Sequence, residues 1–384
     1  MTAALVLSGG GARAAYQAGV LAAVADIVPE QQQSLFPIVC GTSAGAINAL
    51  ALTSHPGSFT AASNNLSSLW RNLTIDQVIR THWWDLVKGA GRVVGSFFNH
   101  GAGRERPLSL LDNSPLRKLL SDNIHFENLP EAIASGRLRA VSVTAMAYSN
   151  GESVSFFQAN SEVEDWRKYH RVGVGAQLTL DHLMASSALP GIFPTVKIGR
   201  EYYGDGAIRQ LSPLSTALHL GADRIFVIGV SNNRNPAHWG RRTVVRNSPS
   251  IGQVLGHLLN SAFLDSLDSD LEHLETVNEI LNNYDGTEAE AKPAFSRIET
   301  LVISPSQPLD KIAGRCVRYL PNPMRLFMRS TGSTAKAGGA TMASYLLFTE
   351  QFCSRLIDLG YQDAMWDKDA ILRFFEQRQE SDVA

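Results

Sequence analysis

The chain has 384 residues, 44% hydrophobic and 18% charged, with a net charge of −2 when histidines are neutral. Such a length can bury a large core, and a balance this close to neutral excludes the global basic field that draws a protein to nucleic acid, so any membrane contact must be local. The cysteines Cys40, Cys316 and Cys353 are odd in number and far apart, a pattern of buried thiols in a reducing compartment that points to a cytoplasmic protein.

Residues 1–25 are apolar but lack a basic leader region, and Gly9, Gly10, Gly11 and Arg13 interrupt the run. They read as a strand, a loop and a helix, not as a signal peptide. No apolar window approaches the ~20 residues that a membrane span requires. Residues 3–8 form a continuous apolar run, as expected of a strand buried on both faces, and a helix follows over 12–27. Residues 36–40 are a second strand, which enters Gly41-Thr42-Ser43-Ala44-Gly45 and then a helix of small and aliphatic residues over 46–52. Two successive strand–glycine–helix units predict an α/β fold with a largely parallel central sheet.

A helix is expected over 59–70, and 80–107 is an irregular, glycine-punctuated stretch carrying Trp83, Trp84, Phe97 and Phe98. Strands over 138–147 and 153–157 flank the turn signal Ser149-Asn150-Gly151. A strand over 196–203, a helix over 213–220 and a strand over 224–230 come next. Residues 251–281 carry Phe263, Leu264, Leu267, Leu271, Leu274 and Val277 at helical spacing, with Asp265, Asp268, Asp270, Glu272 and Glu275 among them. That pattern reads as a core-facing helix with a solvated acidic side, and no metal site is assigned to it. Residues 284–295 are polar and linker-like, yet 300–303 resume as a strand. The expectation is therefore one domain over 1–384, with a core over about 3–232 and a helical extension plus the last strand over about 250–380. Residues 311–329 hold five basic residues, no acidic one, and the apolar Tyr319, Leu326, Phe327 and Met328. Peripheral membrane contact and packing on the acidic face of 265–279 both account for that composition.

Gly41 to Gly45 fits G-x-S-x-G between a strand and a helix, where the glycines permit a sharp turn that presents Ser43 to the positive end of the helix dipole. The Gly9-Gly10-Gly11 loop also ends a strand and starts a helix, so it belongs at the same carboxyl edge of the sheet. Its N–H groups can then serve Ser43 as an oxyanion hole, with Arg13 adding positive field. The same loop satisfies a dinucleotide-binding fingerprint, which leaves a nucleotide- or ligand-binding protein as an alternative. Against it, the end of the second strand offers Cys40-Gly41-Thr42-Ser43 where that fold needs a ribose-binding carboxylate. A Ser-His-Asp α/β-hydrolase is the other alternative, but Ser43 comes too early in the chain and His182, the nearest histidine candidate, reads as a helix-surface residue. Among the carboxylates, Asp205 stands out between two glycines in Tyr202-Tyr203-Gly204-Asp205-Gly206-Ala207, although Asp-Gly is also a common turn dipeptide.

The glycine loop, the early G-x-S-x-G, the run Ser186-Ser187-Ala188-Leu189-Pro190-Gly191-Ile192-Phe193-Pro194 and Asp205-Gly206-Ala207 together resemble the patatin-like phospholipases. The resemblance runs from Leu5 to the 345–375 region, and 110–116 and 263–270 are similar to segments of bacterial members. It implies a three-layer α/β/α fold with a helical C-terminal end. It also implies a lipid acyl hydrolase of phospholipase or lysophospholipase type, cleaving glycerolipid esters through a Ser–Asp dyad and an acyl-enzyme, with no metal or cofactor. By matching position, Ser43 is implied as nucleophile, Asp205 as its base, Gly9, Gly10, Gly11 and Arg13 as the oxyanion segment, and Gly41 and Gly45 as the elbow glycines. Ala14 departs from the glycine of many members, at a first-turn helical position where positive φ is not needed.

Overall fold

The computed structural model describes residues 2–29, 34–84, 88, 91, 109–231, 248, 250–283, 296–330, 332 and 340–381. Strand β1 (Ala3–Leu7) ends in the glycine loop, a 3₁₀ turn over Gly11–Ala14 and helix α1 (Ala15–Ile27). Strand β2 (Ile38–Thr42), α2 (Ala44–Thr53) and α3 (Phe59–Arg71) follow. Next come α4 (Ser114–Asn123), α5 (Leu129–Ala134), and the hairpin of β3 (Ala140–Ala147) and β4 (Ser153–Ala159). Then β5 (Trp166–Lys168), β6 (Arg171–Gly175) and α6 (Leu180–Ser186) lead to β7 (Val196–Ile198) and β8 (Glu201–Asp205). Helix α7 (Pro213–His219) and β9 (Arg224–Ile228) complete this part of the chain. Helices α8 (Ile251–Asn260) and α9 (Ser266–Asn282) are joined through a π turn, and β10 (Glu299–Ile303) follows. The rest is helical: α10 (Leu309–Cys316), α11 (Asn322–Ser330), α12 (Ala340–Leu346), α13 (Glu350–Trp366) and α14 (Lys368–Ser381).

The strands form one sheet in the order β10-β9-β1-β2-β3-β4-β6-β5, with β8 on β3 and β7 on β8. Strands β10, β9, β1, β2 and β3 are mutually parallel, and β4 and β8 run antiparallel to β3. Every residue of β1, β2 and β9 is buried, which is why these strands are continuous apolar runs without alternation. Ala4, Val6, Ile38 and Ile225 face one layer, where Leu214 and Ala217 of α7 and Leu267 and Leu271 of α9 cover them. Leu5, Leu7, Val39 and Phe226 face the opposite layer, where Val20 of α1, Ile47 of α2 and Leu356 of α13 lie in the same core. The result is a mixed α/β fold of three layers around a mostly parallel sheet.

Several elements differ from the sequence expectation. The second strand, expected over 36–40, runs to Thr42, because Gly41 and Thr42 pair with Val143 and Thr144 of β3. The strand expected over 196–203 is a hairpin of β7 and β8, broken at Gly199, whose φ is 61°. The helix expected over 251–281 is interrupted by the π turn over Ser261–Asp265. The strand expected over 300–303 is β10, and it joins β9 in parallel. Residues 311–329 form most of α10 and α11. Helix α10 packs on α12 and α13 while the acidic helix α9 packs on α7, so the first part of the basic segment is held by the C-terminal helices. Met324 and Met328 of α11 are buried, whereas Tyr319 and Leu326 stay exposed. Phe97, Phe98 and the linker expected over 284–295 lie outside the described residues. Among the described residues, no helix is long and apolar enough to cross a membrane.

Candidate active site

Strand β3 acts as the template that assembles the site. Along one edge of it β2 pairs as far as Thr42 opposite Thr144, and from the next residue onward β8 takes over, with Asp205 opposite Ala145. The residue that leaves β2 and the residue that ends β8 are therefore delivered side by side. The Ser43 hydroxyl donates to Asp205 Oδ2 at 2.6 Å.

Ser43 has φ 56° and ψ −127°, the strained turn anticipated from G-x-S-x-G, and α2 begins at the next residue. Gly45 permits that turn, since a Cβ there would stand 2.2 Å from the Leu7 carbonyl oxygen at the end of β1. At Gly41 a Cβ would likewise collide with the first turn of α2. The Ser43 N–H donates to Ser186 Oγ at 2.9 Å, and the Ser186 hydroxyl donates in turn to the Thr144 carbonyl at 2.6 Å. Ser186, at the end of α6, thus ties the elbow to β3.

The glycine loop lies against the elbow. A Cβ on Gly9 would stand 3.0 Å from Ser43 Cβ, and one on Gly11 would stand 2.2 Å from the Tyr345 carbonyl oxygen. Gly11 also has φ 55°, so only glycine fits there without strain. Arg13 is buried, its Nε donates to Ser344 Oγ at 2.7 Å, and its guanidinium lies 4.2 Å from the centre of the Tyr345 ring. Helix α12 therefore holds Arg13 in place. Ala14 has φ −65°, ordinary helical backbone that an L-residue adopts freely.

Asp205 is fully buried, and this desolvation pushes its carboxyl up to about 7 despite hydrogen bonds from Ser43 and from the Ala207 N–H, which pull the other way. The Ala207 bond, 3.0 Å to Oδ1, leaves Oδ2 for Ser43. Beside Ser43 is a narrow apolar cavity of about 40 Å³ whose lining includes Ile47, Leu69, Trp70, Leu116, Phe193 and Phe348. A buried hydroxyl, a carboxylate of raised basicity on it, a glycine loop alongside and an apolar recess together suit nucleophilic attack on the carbonyl of an apolar ester.

His182 is not the surface residue expected from the sequence. It is buried against the Phe156 ring, 4.6 Å between centroids, and its Nδ1 meets the Thr179 hydroxyl at 2.9 Å at the N-terminus of α6. Burial lowers its pKa, with Asp181 opposing the shift. It is a helix-capping residue. The sequence carries no local signal for the role of Ser186 beyond the Ser186–Pro194 run that contains it, and none for Tyr345, because no local pattern connects α12 to the glycine loop.

A patatin-like phospholipase family model matches residues 5–218, a span from β1 into α7 that contains both Ser43 and Asp205. Calcium-independent phospholipase A2-gamma of Mus musculus is 24% identical over 217 residues, or 56% of this chain. The chain spans about a quarter of that protein's length, 25%. Human GIVD cytosolic phospholipase A2 superposes with a TM-score of 0.48 at 12% identity, covering 98% of this chain and 60% of the other. VipD from Legionella pneumophila gives a TM-score of 0.38 at 11% identity, covering 96% and 67%.

Proposed function

The chain belongs to the patatin-like phospholipase family, and from that premise we propose a lipid acyl hydrolase that cleaves carboxylic esters of glycerolipids with Ser43 as nucleophile and Asp205 as its base. The observation that carries the reading is the 2.6 Å hydrogen bond from the Ser43 hydroxyl to a carboxylate with no exposed surface, made while Ser43 is held at positive φ. As Ser43 Oγ attacks the ester carbonyl, its proton passes to Asp205 Oδ2. The carbonyl oxygen becomes an oxyanion beside the N–H groups of Gly9, Gly10 and Gly11, with Arg13 contributing positive field from behind the loop. Collapse of the tetrahedral intermediate expels the alcohol, which takes the proton from Asp205 and leaves an acyl-Ser43. Water then attacks the acyl group with Asp205 again as base, releasing the fatty acid and restoring the serine.

The apolar recess supports an acyl chain as the group bound beside Ser43. At about 40 Å³ it has room for a water or two, so a chain enters only as the leucine and aromatic side chains part. Three buried free thiols fit a reducing, cytoplasmic setting. The similarity of 110–116 and 263–270 to bacterial members supports a bacterial affiliation within the family.

Titration with an active-site fluorophosphonate tests the nucleophile. One equivalent is expected to attach at Ser43, and Ser43→Ala is expected to take up none and to lose hydrolysis of phospholipids, lysophospholipids and neutral glycerides alike. Stoichiometric labelling of the alanine variant would assign the chemistry to another residue.

A further inference from the structure

Outside the candidate active site, the chain concentrates positive charge in one place. Helix α10, the turn after it and helix α13 bring Arg315, Arg318 and Arg355 to the wall of an open groove of about 540 Å³, with Ile312 and Gln362 beside them. All three arginines are exposed. The groove wall contains one carboxylate among the described residues, Asp358, and Arg71 already holds it at 2.6 Å. The hydrogen-bond partners of two of the groove arginines are weak or neutral: Arg318 donates to the Tyr319 hydroxyl and Arg355 to Cys316 Sγ at 3.4 Å. Among the described residues, none of the three is in an ion pair.

Helix chemistry explains only one of them. Arg315 sits in the last turn of α10, where a cation complements the helix dipole. Arg318 lies beyond that helix and Arg355 belongs to another, so neither follows from the same cause. Convergence of several guanidinium groups, where the one carboxylate of the wall is already paired elsewhere, is the arrangement that receives a phosphate oxygen pair.

Two further observations favour a lipid as its source. The same segment exposes Tyr319 and Leu326, 40% and 51% accessible, apolar side chains of the kind that enter a membrane interface beside bound cations. The C-terminal turn of α3 also serves both places: Leu69 and Trp70 line the cavity at Ser43, and the adjacent Arg71 pairs with Asp358 at the groove. We infer that Arg315, Arg318 and Arg355 bind the headgroup phosphate of an anionic membrane lipid and orient the protein on the bilayer. The inference rests on the lipid-hydrolase reading for its purpose, but its test does not depend on catalysis.

The test uses full-length Ser43→Ala protein, which leaves vesicles intact, and sedimentation with vesicles of phosphatidylcholine alone or with roughly one part in five of phosphatidic acid. Binding is expected only to the second. Combined Arg315→Ala, Arg318→Ala and Arg355→Ala is expected to weaken it at least tenfold, a loss of the size that removing several phosphate contacts produces, with an unchanged melting temperature. Removing the same charge elsewhere, by Lys168→Ala, Lys197→Ala and Arg200→Ala, is expected to leave binding intact. Replacing the three groove arginines with lysine retains charge but removes the planar fork, and most of the binding should still be lost. Alanine or lysine variants that bind like the parent would overturn the site, the lysine result by reducing it to diffuse charge. Equal loss in the control set would do the same. Calorimetric binding of inorganic phosphate in the groove, without any vesicle binding, would give the groove to a soluble anion and sink the lipid reading.

Discussion

At the scale of single residues, the base proposed for Ser43, Asp205, is fully buried and would have to be ionised to act. Its carboxyl titrates near 7 in the folded protein, so the acylation rate is expected to rise with pH and to level off above that value. In the unfolded chain the same group titrates at about 3.9, so between the two values the folded protein holds a proton that the unfolded chain has released. Stability owed to this group therefore falls as pH rises from about 4 to about 7 and is flat beyond. Asp205→Asn should lower the fluorophosphonate labelling rate by about 10²–10⁴ at pH 8, the range of a lost general base. The same variant should gain melting temperature relative to wild type between pH 5 and pH 8. An offset that does not change with pH, or labelling at the wild-type rate, would remove Asp205 from the dyad. His182 makes the contrast. Its alanine variant loses the cap on α6 and the packing on Phe156, for about 1–2 kcal/mol, while hydrolysis stays within about tenfold of wild type. Denaturant melts and activity on one preparation check both halves, and a loss of turnover matching Ser43→Ala would restore a histidine base.

At the scale of elements, the site depends on strands and helices that meet across long stretches of sequence. The Ser43–Asp205 bond spans 162 residues, the Ser43–Ser186 bond 143 and the Arg13–Ser344 bond 331. The glycine loop and the elbow were legible in the sequence because each is a local strand–turn–helix. Asp205 was legible only as an aspartate between glycines, and its pairing with Ser43 was implied by the family resemblance. The capping geometry that buries His182 gave no signal distinguishable from an ordinary amphipathic turn. Helix α13 illustrates how the C-terminal helices bear on the N-terminal unit: it packs closely along α1, where a Cβ on Gly360 would stand 2.2 Å from the Tyr16 carbonyl oxygen and one on Gly19 would stand 2.0 Å from that of Ile357. Gly360→Ala must therefore push the helices apart, and a loss of about 1–3 kcal/mol is expected in chemical denaturation. An unchanged denaturation midpoint would mean that the two helices are not in such close contact.

At the scale of the whole molecule, we propose that the chain folds as one unit, with the C-terminal part completing a sheet and a core begun by the N-terminal part. Strand β10 adds to β9 beside β1, the Tyr16 hydroxyl donates to Asp363 at 3.0 Å, and Phe36, Phe226, Phe374 and Phe375 share one aromatic cluster. Unfolding is expected to be a single transition, with far-ultraviolet circular dichroism and tryptophan fluorescence giving coincident curves. Two separated transitions would divide the chain into independent domains.

Features that depend on neighbours in the chain can be read from the residues alone. The fully buried strands follow from unbroken apolar runs, the parallel sheet from two strand–glycine–helix units, and the presentation of Ser43 from the glycines two residues away on either side, Gly41 and Gly45. Long-range packing set where β2 hands its edge of β3 to β8, that 196–203 folds back on itself, that His182 is buried, and that α12 holds Arg13. It also decided that Arg355 joins Arg315 and Arg318 on one groove. Each of these is set by the packing of elements remote in sequence, for which hydrophobic periodicity and turn chemistry, being local, hold no information.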